Sequence, residues 1–529
     1  MPRNPDNPKV LLLCSMVLVM LACCIPLAAQ SKSSAPTKLP AADKVIDNYL
    51  KAIGGKKRAL AVRDATSEWT IRLQDQVQGT ARLQLKQPGA MRSEMTFGNG
   101  RIVSAATPRS AWAHGLTGPP RTLTGPEAAA AKLQAVLDAA HLVEYKKANI
   151  MARVLDLIES PLGPAYRVEF STRSGGRLRY LFSVKSSLLI GIDDEARKTS
   201  SWFEDYRPEG NLLEPHTLRI NLAGTGVLQL TLDRISYNGG LSASIFDPPR
   251  AAEALDVVAL LREVSKNQDE VENRVNEYSF VQKETDREID SKGVVKKETV
   301  RVSELYPIPN RRAVEKLISE NGVPLTAERA AKEEKRVQEE FEKAEHDKDK
   351  DAQKAEDRKA ERARKRSEGD DDEPGISRFL KVCEFISPRH ERFQNRDSIV
   401  FDFRVKPGFK PANRQESLIA KLIGVIWIDP VDKQVMRLEA RLAEGFKMAG
   451  GLLLSLRPGA ALSMEQTRMS DGVWFPRFTE INLSVKVMLF GGGDINKTIE
   501  WSDYKHFSAD VGGYKIGSPE SADPAKKKP

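Results

Sequence analysis

The residues of this chain that could do chemistry are few and widely separated. Its six histidines are scattered, and only His390-Glu391 begins like the helix of a zinc protease. Such a helix places a second histidine ligand four residues after the first, but Gln394 stands there. The chain contains neither a G-x-S-x-G nucleophile motif nor a phosphate-binding G-x-x-x-x-G-K motif. We therefore predict a protein that is not an enzyme and that has no metal site and no cofactor.

Three further groups each admit a chemical and a structural interpretation. Cys383 ends the apolar segment Phe379–Cys383 without an adjacent histidine, which favours a buried small side chain over a nucleophile. The acidic cluster Asp370–Glu373 could hold a hard cation, but it is more typical of the end of a solvated charged segment. The basic run Arg358–Arg366 has no interleaved aromatic residues, so it lacks the stacking groups of a nucleic-acid surface.

The N-terminus has the three parts of a secretory signal peptide. Arg3 and Lys9 form a basic start, Val10–Ile25 is an apolar run, and Leu27-Ala28-Ala29 supplies small residues at a cleavage site. The run is shorter than the ~20 residues needed to cross a bilayer, which makes a permanent membrane anchor the weaker alternative. We therefore expect residues 1–29 to be removed and the mature protein to be periplasmic.

A lipid anchor is a second alternative. Met20-Leu21-Ala22-Cys23 resembles a bacterial lipobox with methionine where leucine is usual, and lipidation of Cys23 would tether the mature protein to a membrane. Three of the four cysteines lie in this N-terminal region, so no internal disulfide is expected after cleavage. The net charge of +9 is modest for 529 residues, and export argues against nucleic acid as a partner.

Changes in hydrophobic periodicity divide the chain into helices and strands. Apolar positions in residues 45–53 have helical spacing, and Gly54-Gly55 ends that helix. From Trp69 onwards apolar and polar residues alternate between short glycine-containing turns, which predicts an antiparallel sheet with one buried face. Residues 125–150 interrupt the alternation with mostly helical spacing. We therefore predict a strongly curved sheet with helices laid against its inner face.

The same order of elements begins again in the second half of the chain. Phe246-Asp247-Pro248-Pro249 closes the first module, a helix is expected from about Leu255 to Asn276, and new strands start at Tyr278. The predicted fold class is therefore α+β, with two strongly curved antiparallel half-barrels whose concave faces are covered by helices. The expected segments are a flexible leader at 30–40, modules at 41–252 and 253–508, and a disordered tail at 509–529.

A long charged insertion separates the early and late strands of the second module, at about residues 325–373. From Glu342 to Asp372 its only apolar side chains are alanines. Such a segment cannot bury a face, so we expect a solvated charged helix that fades into disorder. A contact arm for an envelope partner is the functional alternative.

Several segments resemble those of the LolA family, the periplasmic carriers of outer-membrane lipoproteins. Leu83–Arg92, followed by Gly98-Asn99-Gly100, is similar to the family's pattern of strand, Lys-Arg-Pro, strand and Asp-Gly. Ser244–Pro249 is similar to its closing Phe-x-x-Pro-Pro segment. The resemblance covers roughly residues 40–252. It extends more faintly over 255–508, where the similar segments are Tyr278–Gln282 and Trp427–Pro430.

This resemblance implies an incomplete, strongly curved barrel with helices as a lid over an apolar cavity for acyl chains. In the carriers, an arginine before the proline ties the lid shut through hydrogen bonds, whereas this chain has Gln87. A neutral side chain cannot make that charged, forked contact. The departure favours a static lipid binder or an envelope sensor over a carrier that opens and closes.

We therefore expect a non-catalytic periplasmic protein that binds lipid or the acyl chains of a lipidated protein, in the manner of outer-membrane lipoprotein sorting. The alternative is a sensor or protein-interaction module for an envelope protein, resembling the two-domain envelope-stress regulators. Ordinary core packing is the other interpretation for each expected lining residue of the first cavity. Those residues are Trp69, Ile71, Leu83, Leu85, Met91 and Met95.

Overall fold

The computed structural model describes residues 39–506, with gaps at 74–75, 223–225, 251–255, 276, 309–312, 348–349, 351, 355, 358–378, 380, 449–453 and 488–490. The predicted signal peptide, Cys23, most of the leader, most of the second half of the charged insertion and the C-terminal tail lie outside the described residues. Within the described ranges, no helix is long and apolar enough to cross a membrane.

The first half of the chain forms one 13-stranded antiparallel sheet. Its strand order is β6-β5-β4-β3-β2-β1-β13-β12-β11-β10-β9-β8-β7, so the two ends of the sheet do not pair and the barrel stays open. The strands are β1 Asp64–Leu73, β2 Gln76–Lys86, β3 Ala90–Phe97, β4 Gly100–Ala106, β5 Ala111–His114, β6 Arg121–Thr122, β7 Met151–Ser160, β8 Gly163–Ser171, β9 Arg177–Ser183, β10 Leu189–Asp194, β11 Thr199–Glu209, β12 Leu212–Leu222 and β13 Gly226–Tyr237.

Helices cover one face of this sheet. They are α1 Ala42–Ala52, α2 Lys56–Ala61 and α3 Gly125–Ala139, and a short 3-10 helix at Ala243–Phe246 closes the module. Helix α1 buries Val45, Ile46, Tyr49 and Leu50 on one side because these positions recur with helical spacing. Tyr49 meets Phe182 of β9 edge to face, with ring centroids 5.4 Å apart.

Helix α3 lies directly on the turn between β2 and β3. A Cβ atom on Gly89 would stand 2.6 Å from Cγ2 of Val136, so only glycine allows this close approach. Pro126 lies in the first turn of the helix, where its missing N–H costs nothing. The alanines of α3 bring its axis close to the sheet, and Leu133 and Leu137 join the main core.

The second half repeats this plan with a sheet that also contains 13 strands. Eleven of them run in the order β17-β16-β15-β14-β26-β25-β24-β21-β20-β19-β18, and β22 and β23 pair beside β25. The strands are β14 Tyr278–Ile289, β15 Val295–Tyr306, β16 Val314–Glu320, β17 Val323–Pro324, β18 Cys383–Phe393, β19 Arg396–Val405, β20 Leu422–Ile428, β21 Val435–Leu442, β22 Phe446–Met448, β23 Leu454–Leu456, β24 Ala461–Arg468, β25 Trp474–Val487 and β26 Gly491–His506.

The helices of this half are α4 Val257–Val275, α5 Ala327–His346 and α6 Arg414–Ile419. Helix α4 packs Leu260, Leu261 and Val264 against Ile399 and Phe401 on one face of the sheet. The large curved antiparallel sheets bear out the α+β prediction at that level, and neither sheet closes into a barrel.

The charged insertion begins as helix α5, which packs on one side mainly through residues that precede Glu342. After Glu342 most of the described side chains are exposed. Helix α5 buries Val337, Phe341 and Ala344 on one side, and the first two join Val314 in a small apolar cluster. Phe341 also meets the ring of Tyr306 at 6.1 Å. Three apolar residues at helical spacing are enough to hold an otherwise charged helix against the sheet.

Candidate functional site

The six predicted lining residues lie on one face of the first sheet, in two apolar clusters. Strand register gives them that common face, because it pairs Trp69 with Ala81, Ala81 with Met95, and Leu85 with Met91. In the first cluster Trp69, Ile71 and Met95 pack with apolar residues of β12 and β13. In the second cluster Leu83, Leu85 and Met91 pack with alanines of α3. That these residues contact a ligand stays a prediction.

A cavity of about 800 Å³ lies elsewhere, between the first module and the second sheet. None of the six residues lines it. One wall consists of α3, the loops after β4 and β8, and residues 147–150; the other consists of β20, β21, β24, β25 and the loop before β24. Both walls contribute apolar side chains, among them Leu133, Val136, Ile150 and Ile423.

The second-sheet wall is charged because β21 alternates along its length. Leu438 packs into the apolar clusters on the side of α4 and α6, whereas the alternate residues Arg437, Glu439 and Arg441 line the cavity. This strand therefore presents a row of charged groups to the cavity.

Arg437 is the fully paired member of this row. Its guanidinium donates to Glu439 at 2.6 Å and forms an ion pair with Glu465 on β24, the residue directly opposite in the register. Lys132 of α3 approaches Glu439 from the other wall at 3.7 Å. Burial lowers the pKa of Lys132, Glu439 opposes that effect, and the positive charge of Arg441 adds to it.

Arg441 has no such partner. The buried Nε atom of Arg441 makes no hydrogen bond to any described residue. Burial is the cause that lowers the pKa of this guanidinium. The register places Ala461 on one side of it and Ile423 on the other, so neither neighbouring strand supplies a carboxylate directly opposite.

A buried polar joint beside the cavity connects the first module to the second sheet. Arg109 donates to Asp402 at 2.8 Å and to Asp247 at 2.5 Å, and Ser110 Oγ donates to Asp402 at 2.6 Å. Asp402 is fully buried on β19 and also lies 3.1 Å from Arg389. The joint fixes the position of one cavity wall against the other.

The joint continues at Thr122 on β6. Its backbone N–H and its hydroxyl both donate to Glu391, at 2.9 and 2.6 Å, and the hydroxyl accepts from Arg389. On the far side of the cavity Arg173 forms an ion pair with Asp494 at 2.7 Å. Six cationic residues line the cavity against two carboxylates: Arg109, Lys132, Lys147, Arg173, Arg437 and Arg441, with Glu439 and Glu480.

The other residues singled out from the sequence lie apart from this cavity. Cys383 is buried, and burial raises the pKa of its thiol to about 12, which agrees with a packing role. The side chain of Gln87 donates to the carbonyl of Val62 at 2.6 Å and so anchors the chain before β1. Among the residues that the structure describes, no group of three His, Cys, Asp or Glu side chains could hold a metal ion.

No family model and no curated protein matches this chain. The chain is similar to solved structures of a LolA superfamily protein from Nitrosomonas europaea (12% identity, 40% of this chain and 98% of that one, TM-score 0.28) and of a DUF1329 family protein from Desulfovibrio piger (12%, 39% and 97%, TM-score 0.28). It is also similar to the complex of MucA and MucB from Pseudomonas aeruginosa (6%, 86% and 94%, TM-score 0.18). All these likenesses are low, and the function has to be argued from the contacts of this chain.

Proposed function

We propose that this protein is a non-catalytic periplasmic binding protein for a lipid or for the acyl chain of a lipidated protein. The observation that carries the proposal is the cavity between the two modules, whose volume of about 800 Å³ lies within the range of ~300–1,000 Å³ typical of small-molecule sites. Its walls combine apolar side chains, which could cover a hydrocarbon chain, with charged groups that could orient a polar head.

The apolar part of the cavity suits a hydrocarbon chain. Leu133 and Val136 project from α3, Ile150 follows the helix, and Ile423 faces them from β20. Each methylene that such a wall removes from water contributes about 0.8 kcal/mol to binding. A chain of a dozen carbons would therefore gain enough to offset the cost of ordering it.

Filling the cavity tests this proposal. Ala461 lies on the cavity side of β24, opposite Arg441, so Ala461→Trp should occupy the space and abolish binding of a long-chain fluorescent fatty-acid probe. Ile495→Trp is the matched control, because Ile495 is 44% exposed and does not line the cavity. Mass spectrometry of solvent extracts from protein purified out of its own envelope should detect an acyl-bearing molecule in the wild type only.

The inner face of the first sheet is the other location for an acyl chain. Leu85→Asp would place a carboxylate on that face, whereas Gln84→Asp would place it on the opposite face. If Leu85→Asp abolishes probe binding while Ala461→Trp retains it, the ligand lies under α3 and not between the modules. Thermal denaturation of both variants separates lost binding from lost folding.

An observation also favours the alternative of a protein-interaction module. Strand β7 is an edge of the first sheet over ten residues, and Leu157 on it is 48% exposed. An unpaired strand edge can accept an extended segment of a partner protein. A wild-type protein that yields no lipid and binds no acyl probe would favour this alternative.

A further inference from the structure

The charge distribution of the cavity between the modules is unbalanced at Arg441. A buried guanidinium is normally paired, because removing a charge from water is costly unless a partner compensates for it. On the same strand Arg437 follows that rule, since it is paired with both Glu439 and Glu465. Arg441 is partly buried, no ion pair joins it to a described carboxylate, and its buried Nε has no hydrogen-bond partner in the described ranges.

The carboxylates that line the cavity are already engaged elsewhere. Glu439 accepts two hydrogen bonds from Arg437 and is approached by Lys132. Glu480 accepts a hydrogen bond from Asn482 and lies two strands away from β21 in the sheet. Arg441 thus adds a second positive charge near Lys132, whose partner Glu439 is already bonded to Arg437.

Lys132 also connects this positive region to the apolar wall. Val136 follows it by four residues on α3, so the two side chains lie on the same face of the helix, and both line the cavity. Leu133 is adjacent in the same wall. A ligand with an anionic head beside Arg441 and Lys132 would therefore have its chain against α3.

We infer that the cavity takes an anionic amphiphile whose carboxylate or phosphate oxygens are held by Arg441 and Lys132. The inference rests on the proposed function and adds the chemistry of the head group. A guanidinium binds such oxygens through two parallel N–H donors, which the terminal nitrogens of Arg441 would supply. An acidic ligand would supply the negative charge that no described carboxylate provides beside Arg441.

Removing the charge of Arg441 tests this inference. The probes are palmitate, palmitoyl lysophosphatidate and uncharged monopalmitoylglycerol, titrated into the full chain by calorimetry. Arg441→Met should weaken binding of the acidic probe about 10- to 100-fold, as expected for loss of a charged hydrogen bond, and leave the uncharged probe unchanged. Arg441→Lys should retain part of the affinity. Arg404→Met, at an exposed arginine paired with Glu384, is the control.

The outcomes separate the head-group assignment from the proposed function. Whichever of the two acids binds more tightly identifies the head group as carboxylate or phosphate. The head-group assignment is overturned, and the lipid cavity stands, if the wild type binds the uncharged probe as tightly as it binds the two acids. The same follows if Arg441→Met weakens binding of all three probes equally. If the wild type binds none of them, both proposals fail.

Stability without ligand gives a second measurement. A guanidinium held for a ligand contributes nothing to folding, so the melting temperature of Arg441→Met should equal or exceed that of the wild type. A clear fall in that temperature would show that Arg441 is a structural residue and would overturn the inference.

Discussion

At the scale of single residues, Asp402 carries the strongest constraint on how the two modules fit together. It is fully buried on β19 and accepts hydrogen bonds from Arg109 and Ser110 of the first module. It also forms an ion pair with Arg389 of its own sheet. A carboxylate in that position is stabilised only while its donors stay in place. The loop after β4 is consequently fixed to the second sheet.

Replacing Asp402 should therefore be severe. Asp402→Ala leaves Arg109 and Arg389 without their shared partner, and we expect the free energy of unfolding to fall by about 3–5 kcal/mol, as is usual when one member of a buried ion pair is removed. Urea denaturation measures the change. Asp397→Ala on the same strand is the control, since the side chain of Asp397 is 84% exposed. Equal effects of the two substitutions would contradict the prediction.

At the scale of elements, α5 shows how a small apolar contact positions a highly charged helix. Val337 and Phe341 are buried against Val314, while most of the remaining side chains face solvent. Thr326 caps the helix by accepting from the N–H of Arg329. The last buried residue of the helix is Ala344, and from Glu342 to Asp372 alanines are the only apolar side chains.

Substitutions before and after His346 should therefore differ in their effect on stability. Phe341→Ala should lower the free energy of unfolding by about 3 kcal/mol because it leaves a cavity in the cluster with Val314. Replacing residues 347–372 with a short Gly/Ser linker should change the melting temperature by no more than a few degrees, because almost no apolar area is lost. Differential scanning calorimetry compares the two variants. Unfolding of the linker variant would show that the replaced segment packs after all.

At the scale of the whole molecule, two sheets share one compact unit from Pro40 onwards. Polar contacts cross between the modules at more than one place around the cavity. The N–H of Thr122 donates to Glu391, and the side chain of Asn149 donates to the carbonyl of Pro458. The proposed ligand site consequently needs both modules, which neither sheet could supply alone.

The whole-molecule prediction concerns processing. Leu27-Ala28-Ala29 should direct cleavage before Gln30, so that the mature chain starts there and is recovered as a protein without a lipid anchor. N-terminal sequencing and intact-mass measurement of protein from the native envelope test this. Retention of Met1, or a lipid-modified Cys23 at the N-terminus, would contradict it.

Hydrophobic periodicity in the sequence was enough to predict the helices and strands and their repetition in the second half. Alternation around Trp69 and Leu83 predicts strands with one buried face, and helical spacing around Val45 and Leu133 predicts helices, because burial follows the local period of the backbone. His390, where the sequence lacks the second ligand of a zinc-protease helix, lies on β18.

The position of the cavity and the side chains that line it depend on long-range packing, which local periodicity does not predict. Lys132, Arg173 and Arg441 are far apart in the chain, and in the sequence the alternating charges of β21 resemble an ordinary solvent face. Strand period divides residues between two faces, but it does not say which face meets another module. That depends on the packing of α3 against the second sheet, which leaves Arg441 without a carboxylate partner among the described residues.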